Sequence, residues 1–371
     1  MTPHPIDIIL GMEKYFISED WKPLNVTIPR PLGFRVIEEI SYKPASEWKG
    51  ESKGRYAVYL LKKQGIDHFN VINEISKILH SKVHYIGIKD TNAITEQIIY
   101  TENTKKIVDK IENEKYSLYF LGYSDSKFNH TGNIFEIELQ TDDYEELERR
   151  IKKLSQIKYL PAYVGYQRFG TRRPITHVIG KMLVLRDWKN ALDFLIGYPF
   201  EGESEILKKA RSEYMKGNYK EALELFPKKF KDERIALKLL LKNENYLNIL
   251  KSLQTPLSFF VEAYQSYLFN KYLSRIMDPK NVDENLMIEI PTSYSKCDEI
   301  CKEIFREEGI VNADFKVKEL KINVRSMVRK AYTRVRNFDF KNKKISFALD
   351  RGIYATIVIR EIARDDPRLF T

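Results

Sequence analysis

Phe135, Ile137 and Leu139 alternate with Glu136, Glu138 and Gln140. A two-residue period of this kind marks a strand with one face in the core and one in water. It returns near the end of the chain, where Ile345, Phe347 and Leu349 alternate across residues 344–350. Runs rich in β-formers predict further strands over residues 34–40, 56–61, 83–88, 96–101 and 117–123. Helical spacing intervenes twice. Phe69, Ile72, Ile75, Ile78 and Leu79 share a face over residues 67–80, with Asp67 placed to cap the first turn. Tyr144, Leu147, Ile151 and Leu154 do the same over residues 142–157.

The middle of the chain reads differently. Residues 175–336 are dominated by helical patterns, among them 233–253 and 257–276, and strand signals are sparse. In residues 316–336, Leu320, Val324, Val328, Ala331 and Val335 can form one face of a helix, with Lys321, Arg325 and Arg329 along another. Only Glu319 opposes eight basic residues there, which suits a face that tracks RNA phosphates; a solvated amphipathic helix is the plainer alternative. After residues 344–350 a turn at Arg351-Gly352 leads to a second predicted strand, 353–362, so the two read as a hairpin. A helical block between two β-rich parts predicts an α+β fold with a mostly antiparallel sheet to which both β parts contribute. The expected division is a discontinuous domain, 1–160 plus 337–371, interrupted by a largely helical insertion, 161–336.

Composition fits this picture. A chain of 371 residues suggests about two domains. No apolar run approaches the roughly 20 residues of a membrane span, and the N-terminus lacks a basic segment followed by a long apolar one. The expectation is a soluble, cytoplasmic protein. The 62 Lys and Arg against 52 Asp and Glu give a net charge of +10, which favours polyanions. Cys297 and Cys301 are the whole thiol inventory, four apart in a stretch read as helix, where a bridge would distort the backbone; two free thiols in a reducing compartment are expected. With six scattered histidines, no zinc site is expected.

The candidate chemistry sits at Lys89-Asp90, where a predicted strand ends. Loops at strand ends often carry catalytic groups on a rigid scaffold, and a nearby cation keeps an aspartate ionised and competent as a nucleophile. Alone, such a pair reads equally as a solvated turn. Its surroundings decide. Gly87-x-Lys89-Asp90 followed by Thr95-x-Gln97 resembles the first signature of the TruD family of tRNA pseudouridine synthases. Phe34-x-Val36-x-Glu38, Gly132-Asn133-x-Phe135, Gly165-Tyr166-Gln167-Arg168-Phe169-Gly170, Ala263-x-Gln265-Ser266-x-Leu268-Phe269-Asn270, Gly352-Ile353-Tyr354-Ala355-Thr356 and Arg360-Glu361 resemble further family motifs in the family's order. Departures fall at Leu32-Gly33, at Ala162 and Val164, at Leu349-Asp350, and near Ile28, where the family has a lysine; Arg30 lies nearby, and which cation accompanies Asp90 stays open.

The resemblance implies a pseudouridine-synthase-like sheet interrupted by the family's insertion domain. It implies isomerisation of uridine to pseudouridine, in tRNA and at uridine 13 of the D arm, with neither cofactor nor metal and no obligatory protein partner. Asp90 becomes the catalytic carboxylate. Phe34 and Tyr354 become rings against which a flipped-out uracil stacks, and Asn133 contacts its edge. Phe135, Lys89, Arg168 and Arg360 are further substrate-binding candidates. A catalytically idle RNA-binding protein on the same fold, or a structural protein with no RNA, are the competing classes; the intact Lys89-Asp90 and Thr95-x-Gln97 argue against the first, and the colinear motifs against the second.

Overall fold

A computed structural model describes residues 2–102 and 106–371. The strands are β1 (Phe34–Ile40), β2 (Lys43–Pro44), β3 (Tyr56–Gln64), β4 (Val83–Tyr85), β5 (Ile94–Glu102), β6 (Lys110–Glu112), β7 (Tyr116–Ser124), β8 (His130–Glu138), β9 (Tyr159–Pro161), β10 (Met287–Ile290), β11 (Met327–Lys330), β12 (Tyr332–Arg334), β13 (Arg336–Lys341) and β14 (Lys344–Asp350). Ten of them build one sheet, ordered β13-β14-β8-β1-β5-β3-β7-β6, with β2 added to β1 and β4 to β5. The β1–β5 pairing is parallel and the other pairings in this sheet are antiparallel. The fold is therefore α+β with a mostly antiparallel sheet, and the N-terminal and C-terminal strands share it, as their patterns predict.

The alternation explains the core. Phe135, Ile137 and Leu139 of β8 and its extension are buried, as are Ile345, Phe347 and Leu349 of β14, while Glu136 and Glu138 stay half-buried on the other face. Direct pairing of β8 with β14 brings Phe135 opposite Phe347, their rings 5.6 Å apart. Helix α1 is Pro5–Ile9, α2 His68–Ile78 and α3 Tyr144–Ser155, with Asp67 and Asp143 accepting from the first-turn amides of the latter two. The middle of the chain supplies α4 (Thr176–Val184), α5 (Trp188–Ile196), α6 (Glu205–Met215), α7 (Tyr219–Leu225), α8 (Lys231–Leu240), α9 (Tyr246–Lys251), α10 (Leu257–Ile276) and α11 (Glu299–Glu307); α12 (Ala355–Ala363) follows β14. None of the helices in the described residues is long and apolar enough to cross a membrane.

Three expectations are corrected. The predicted strand over residues 353–362 is instead helix α12. All nine of its residues are buried, and the run of β-branched Thr356, Ile357, Val358 and Ile359 reads as a buried strand. The hairpin partner of β14 is β13, across the turn at Asn342 and Lys343. Residues 316–336 are not one helix. A short 3₁₀ turn, Lys318–Leu320, ends at Lys321 with φ of 56°, and extended chain leads into β11 and β12. Leu320, Ile322 and Val324 are buried while Lys321, Asn323 and Arg325 are exposed, an alternation of period two that the helical reading overlooked. Finally, Cys297 and Cys301 form a disulfide. Cys297 precedes the helix, whose N-cap is Asp298, and the non-helical backbone there sets the two Cα atoms 5.2 Å apart, within bridging reach.

Candidate active site

The loop of residues 86–93 joins β4 to β5 and carries Lys89 and Asp90. Its carbonyls are held by side chains from three directions. Lys63 Nζ of β3 donates to Asp90 O at 2.7 Å, Gln97 Nε2 of β5 to Gly87 O at 3.3 Å, and Arg30 Nη1 to Asn92 O at 3.1 Å. With its backbone fixed, Asp90 keeps its carboxylate free of the loop and accepts from Gln167 Nε2 at 3.1 Å. Buried Gln97 thereby gives the Thr95-x-Gln97 pattern a local reason, since it ties the strand to the loop.

Asp90 opens onto a cavity of about 240 Å³ lined also by Phe34, Lys89, Asn133, Phe135, Gln167 and Tyr354. Strands β1 and β8 present Phe34 and Phe135 edge to face, 6.2 Å between centroids. Tyr354 is the N-cap residue of α12 and packs on Gly165. A Cβ at position 165 would meet the Tyr354 ring at 2.7 Å, so only glycine lets this ring take its place in the wall. Asn133 receives Lys89 Nζ at 2.7 Å, and Lys89 pairs at 3.0 Å with Glu38, which is fully buried on β1.

Two cations face Asp90. Arg30 lies 3.9 Å above the Phe34 ring, and its Nε and Nη2 are buried without a hydrogen-bond partner in the chain. Burial lowers its pKa and Asp90 works against that shift. Lys63 behaves likewise: burial lowers its pKa, opposed first by Asp90. Ile28, in contrast, belongs to the hydrophobic core. The residue that brings charge to the site from this segment is Arg30.

Six of the residues singled out in the sequence thus meet at one cavity: Asp90, Phe34, Lys89, Asn133, Phe135 and Tyr354. The others do not line it. Arg168 pairs with Glu262 at 2.8 Å and stacks over Phe259. Arg360 is 1% exposed, and its donors go to Asp7 Oδ2, Glu361 Oε1, Met12 O and Lys14 O, so the expected contact with substrate or Asp90 gives way to a buried network. That network has a place in the site. Asp7 also accepts from Tyr166 at 2.6 Å, which links α12 to the 3₁₀ turn Tyr166–Arg168 carrying Gln167. Arg329 donates to Gly352 O at 3.0 Å beneath the turn that leads to Tyr354. Lys321 and Arg325 are exposed on the extended segment, and no helical stripe joins them to Arg329.

Gln167, Lys63 and Glu38 escaped the sequence reading. Gln167 stood in a quoted motif beside Arg168, and charge drew attention to the wrong neighbour. Lys63 carried no signal, because its partner lies 27 residues away. The departures at Ala162 and Val164 fall on buried apolar positions of the core and leave the cavity untouched.

Known proteins match this chain along its length. The family described as tRNA pseudouridine synthase D (TruD) matches residues 10–289 and 286–362. A relative from Sulfurisphaera tokodaii is 76% identical over 98% of this chain and 100% of its own, and one from Saccharolobus solfataricus 52% identical over 100% of both. Each carries the name "Probable tRNA pseudouridine synthase D". A crystal structure from Methanosarcina mazei that bears the TruD name covers 99% of both chains with a TM-score of 0.75 at 22% identity, a likeness of fold. Sequence and architecture agree, and the chain belongs to the tRNA pseudouridine synthase D (TruD) family.

Proposed function

We propose that the protein isomerises uridine to pseudouridine at position 13 of the tRNA D arm, with Asp90 as the catalytic carboxylate. The coarser activity, tRNA pseudouridine synthase and hence isomerase, comes with the family. The observation that carries the residue-level reading is the convergence of Asp90, Phe34, Asn133 and Tyr354 on one cavity from four separate parts of the chain.

The reaction conserves atoms. The C1′–N1 bond breaks, the uracil turns over, a C5–C1′ bond forms, and the proton at C5 is exchanged for one at N1. Positive charge develops at C1′, and an ionised carboxylate beside it lowers the barrier whether it adds to the sugar or draws off a proton toward a glycal. Arg30 and Lys63 bring positive charge to the Asp90 carboxylate. The cavity accepts a base only after it leaves its stack, and stacking on Phe34 or Tyr354 returns roughly 1–3 kcal/mol. Gln167 orients the carboxylate through Oδ2, leaving Oδ1 for the sugar.

The division into a catalytic domain, 1–160 plus 337–371, and an insertion, 161–336, belongs to the same proposal. It is supported by the β9–β12 ribbon, which sets the two chain crossings side by side at Tyr159–Pro161 and Tyr332–Arg334. A tRNA partner and a cytoplasmic location go with the activity. The test is incubation with unmodified tRNA and mapping by carbodiimide treatment and primer extension. A new stop at uridine 13 is expected; no product on any tRNA overturns the reading.

A further inference from the structure

Beside the cavity, three side chains form a chain of fixed polarity. Glu38 and Asn133 stand directly opposite each other in the β1–β8 register, and Lys89 reaches between them from the Asp90 loop. Its Nζ lies 3.0 Å from Glu38 Oε1 and 2.7 Å from Asn133 Oδ1. Glu38 Oε2 accepts the Ile98 amide at 2.8 Å, which holds the carboxylate while Oε1 faces the ammonium as an ion pair. Glu38 is fully buried and Lys89 is 6% exposed, so water does not compete for these contacts.

An ammonium has donors and no acceptor. Whatever faces Lys89 must be an oxygen, so the orientation of the Asn133 amide follows from chemistry. Its NH₂ is turned the other way. That nitrogen makes no hydrogen bond to the chain among the described residues, and Asn133 lines the cavity.

We propose that Lys89, held by Glu38, is a positioning residue that locks Asn133 as a pure hydrogen-bond donor toward the base, and that this donor meets one uracil carbonyl before the base turns over and the other afterwards. The inference rests on the cavity being the uridine site proposed above. Uracil presents O2, N3–H and O4, the order acceptor, donor, acceptor. Turnover about the N3–C6 axis exchanges N1 with C5 and O2 with O4. A donor-only group therefore finds an acceptor in the same place in both orientations, and the detached base can rotate without leaving it unsatisfied. Cytosine, with an amino group at C4, breaks that symmetry. An amide free to flip would offer its own oxygen half the time and hold neither orientation.

The test uses synthetic tRNA with 2-thiouridine or 4-thiouridine at the target position, since a thiocarbonyl is the weaker acceptor. Conversion is followed by nuclease digestion and nucleoside chromatography. The wild-type kcat/KM is expected to fall roughly 3- to 10-fold for each thio-substituted substrate relative to uridine, the scale of one neutral hydrogen bond. Asn133→Ala and the charge-neutral double variant Glu38→Gln/Lys89→Met, which strands no buried charge, should be slower on uridine and show no further loss with either sulfur. A wild-type enzyme indifferent to one or both sulfurs, or a double variant that keeps full sulfur sensitivity, overturns the proposal. Asp90→Asn run in parallel separates the failures: conversion by that variant at the wild-type rate sinks the Asp90 reading, whereas an inactive Asp90→Asn beside a flat sulfur response sinks this inference alone.

Discussion

Two polar clusters, one buried around Arg360 and one half-buried around Asp90, differ in one respect. At Arg360, each guanidinium nitrogen is matched within the chain: Asp7, Glu361, Met12 O and Lys14 O take the guanidinium, and Glu361 in turn accepts the Phe16 and Ile17 amides. Around Asp90, the matching stops short. One carboxylate oxygen, the Asn133 NH₂ and two Arg30 nitrogens have no hydrogen-bond partner in the chain among the described residues. Both clusters contain motif residues and both are charged. Unsatisfied hydrogen-bonding capacity facing a cavity, rather than charge or membership of a motif, separates the cluster proposed to work on substrate from the one that holds the scaffold.

That contrast can be broken most forcefully at the closed cluster. Arg360→Met leaves Asp7 and Glu361 buried without their cation and should cost about 3–5 kcal/mol of unfolding free energy by denaturant titration. The protein that remains folded should keep its kcat. A stable but inactive variant would place Arg360 among the groups that act on substrate.

A second buried group gives a pH test. His177 is buried against Tyr267, and burial lowers its pKa to about 4. Its contribution is complete above the unfolded value near 6.5. Below that the unfolded chain binds the proton first, so stability falls until the folded group also titrates near 4. The loss attributable to His177 over that window is up to about 3 kcal/mol. His177→Phe should flatten the stability curve between pH 6.5 and 4, and an unchanged slope would mean that other groups carry the acid sensitivity.

The open cluster should answer in kinetics instead. Tyr354→Ala is expected to lower kcat/KM by about 10- to 100-fold through loss of base stacking. Its unfolding midpoint should move less than that of Arg360→Met. The smallest effect is expected on the exposed segment: Lys321→Ala/Arg325→Ala should weaken tRNA binding no more than a few-fold, because no continuous basic stripe joins these residues to Arg329. A drop of two orders of magnitude, with a flatter salt dependence, would restore this segment as a principal docking surface.

Much of this was legible in the sequence where period and chemistry were both local. Strand β14 falls where its alternation of Ile345, Phe347 and Leu349 puts it, strand β1 where a run rich in β-formers puts it, and helix α10 within the residues read as helical. Helix α12 was missed because its wholly buried run of β-branched residues reads as a strand, and residues 320–325 because a two-residue alternation was read on a helical grid. Phe34, Asp90, Asn133 and Tyr354 were found from the family motifs and meet at one cavity. Arg360 and Arg168 were misjudged for a physical reason: a charged residue declares itself in sequence, but its partner is set by folding, here from 353 and 94 residues away. Lys63 and Arg30 reach Asp90 from other segments in the same way; Arg30 was visible beside the departure near Ile28, whereas Lys63 could be identified only in three dimensions.

The most direct measurement is single-turnover conversion of unmodified tRNA by Asp90→Asn beside the wild type, with folding checked by thermal unfolding. The substitution keeps the shape and the Lys63 bond to the backbone carbonyl, leaves one amide oxygen to accept from Gln167, and removes the charge together with the second acceptor oxygen. A folded variant slower by about 10³-fold or more is the expected result. A folded variant that forms pseudouridine at the wild-type rate would contradict Asp90 as the catalytic carboxylate.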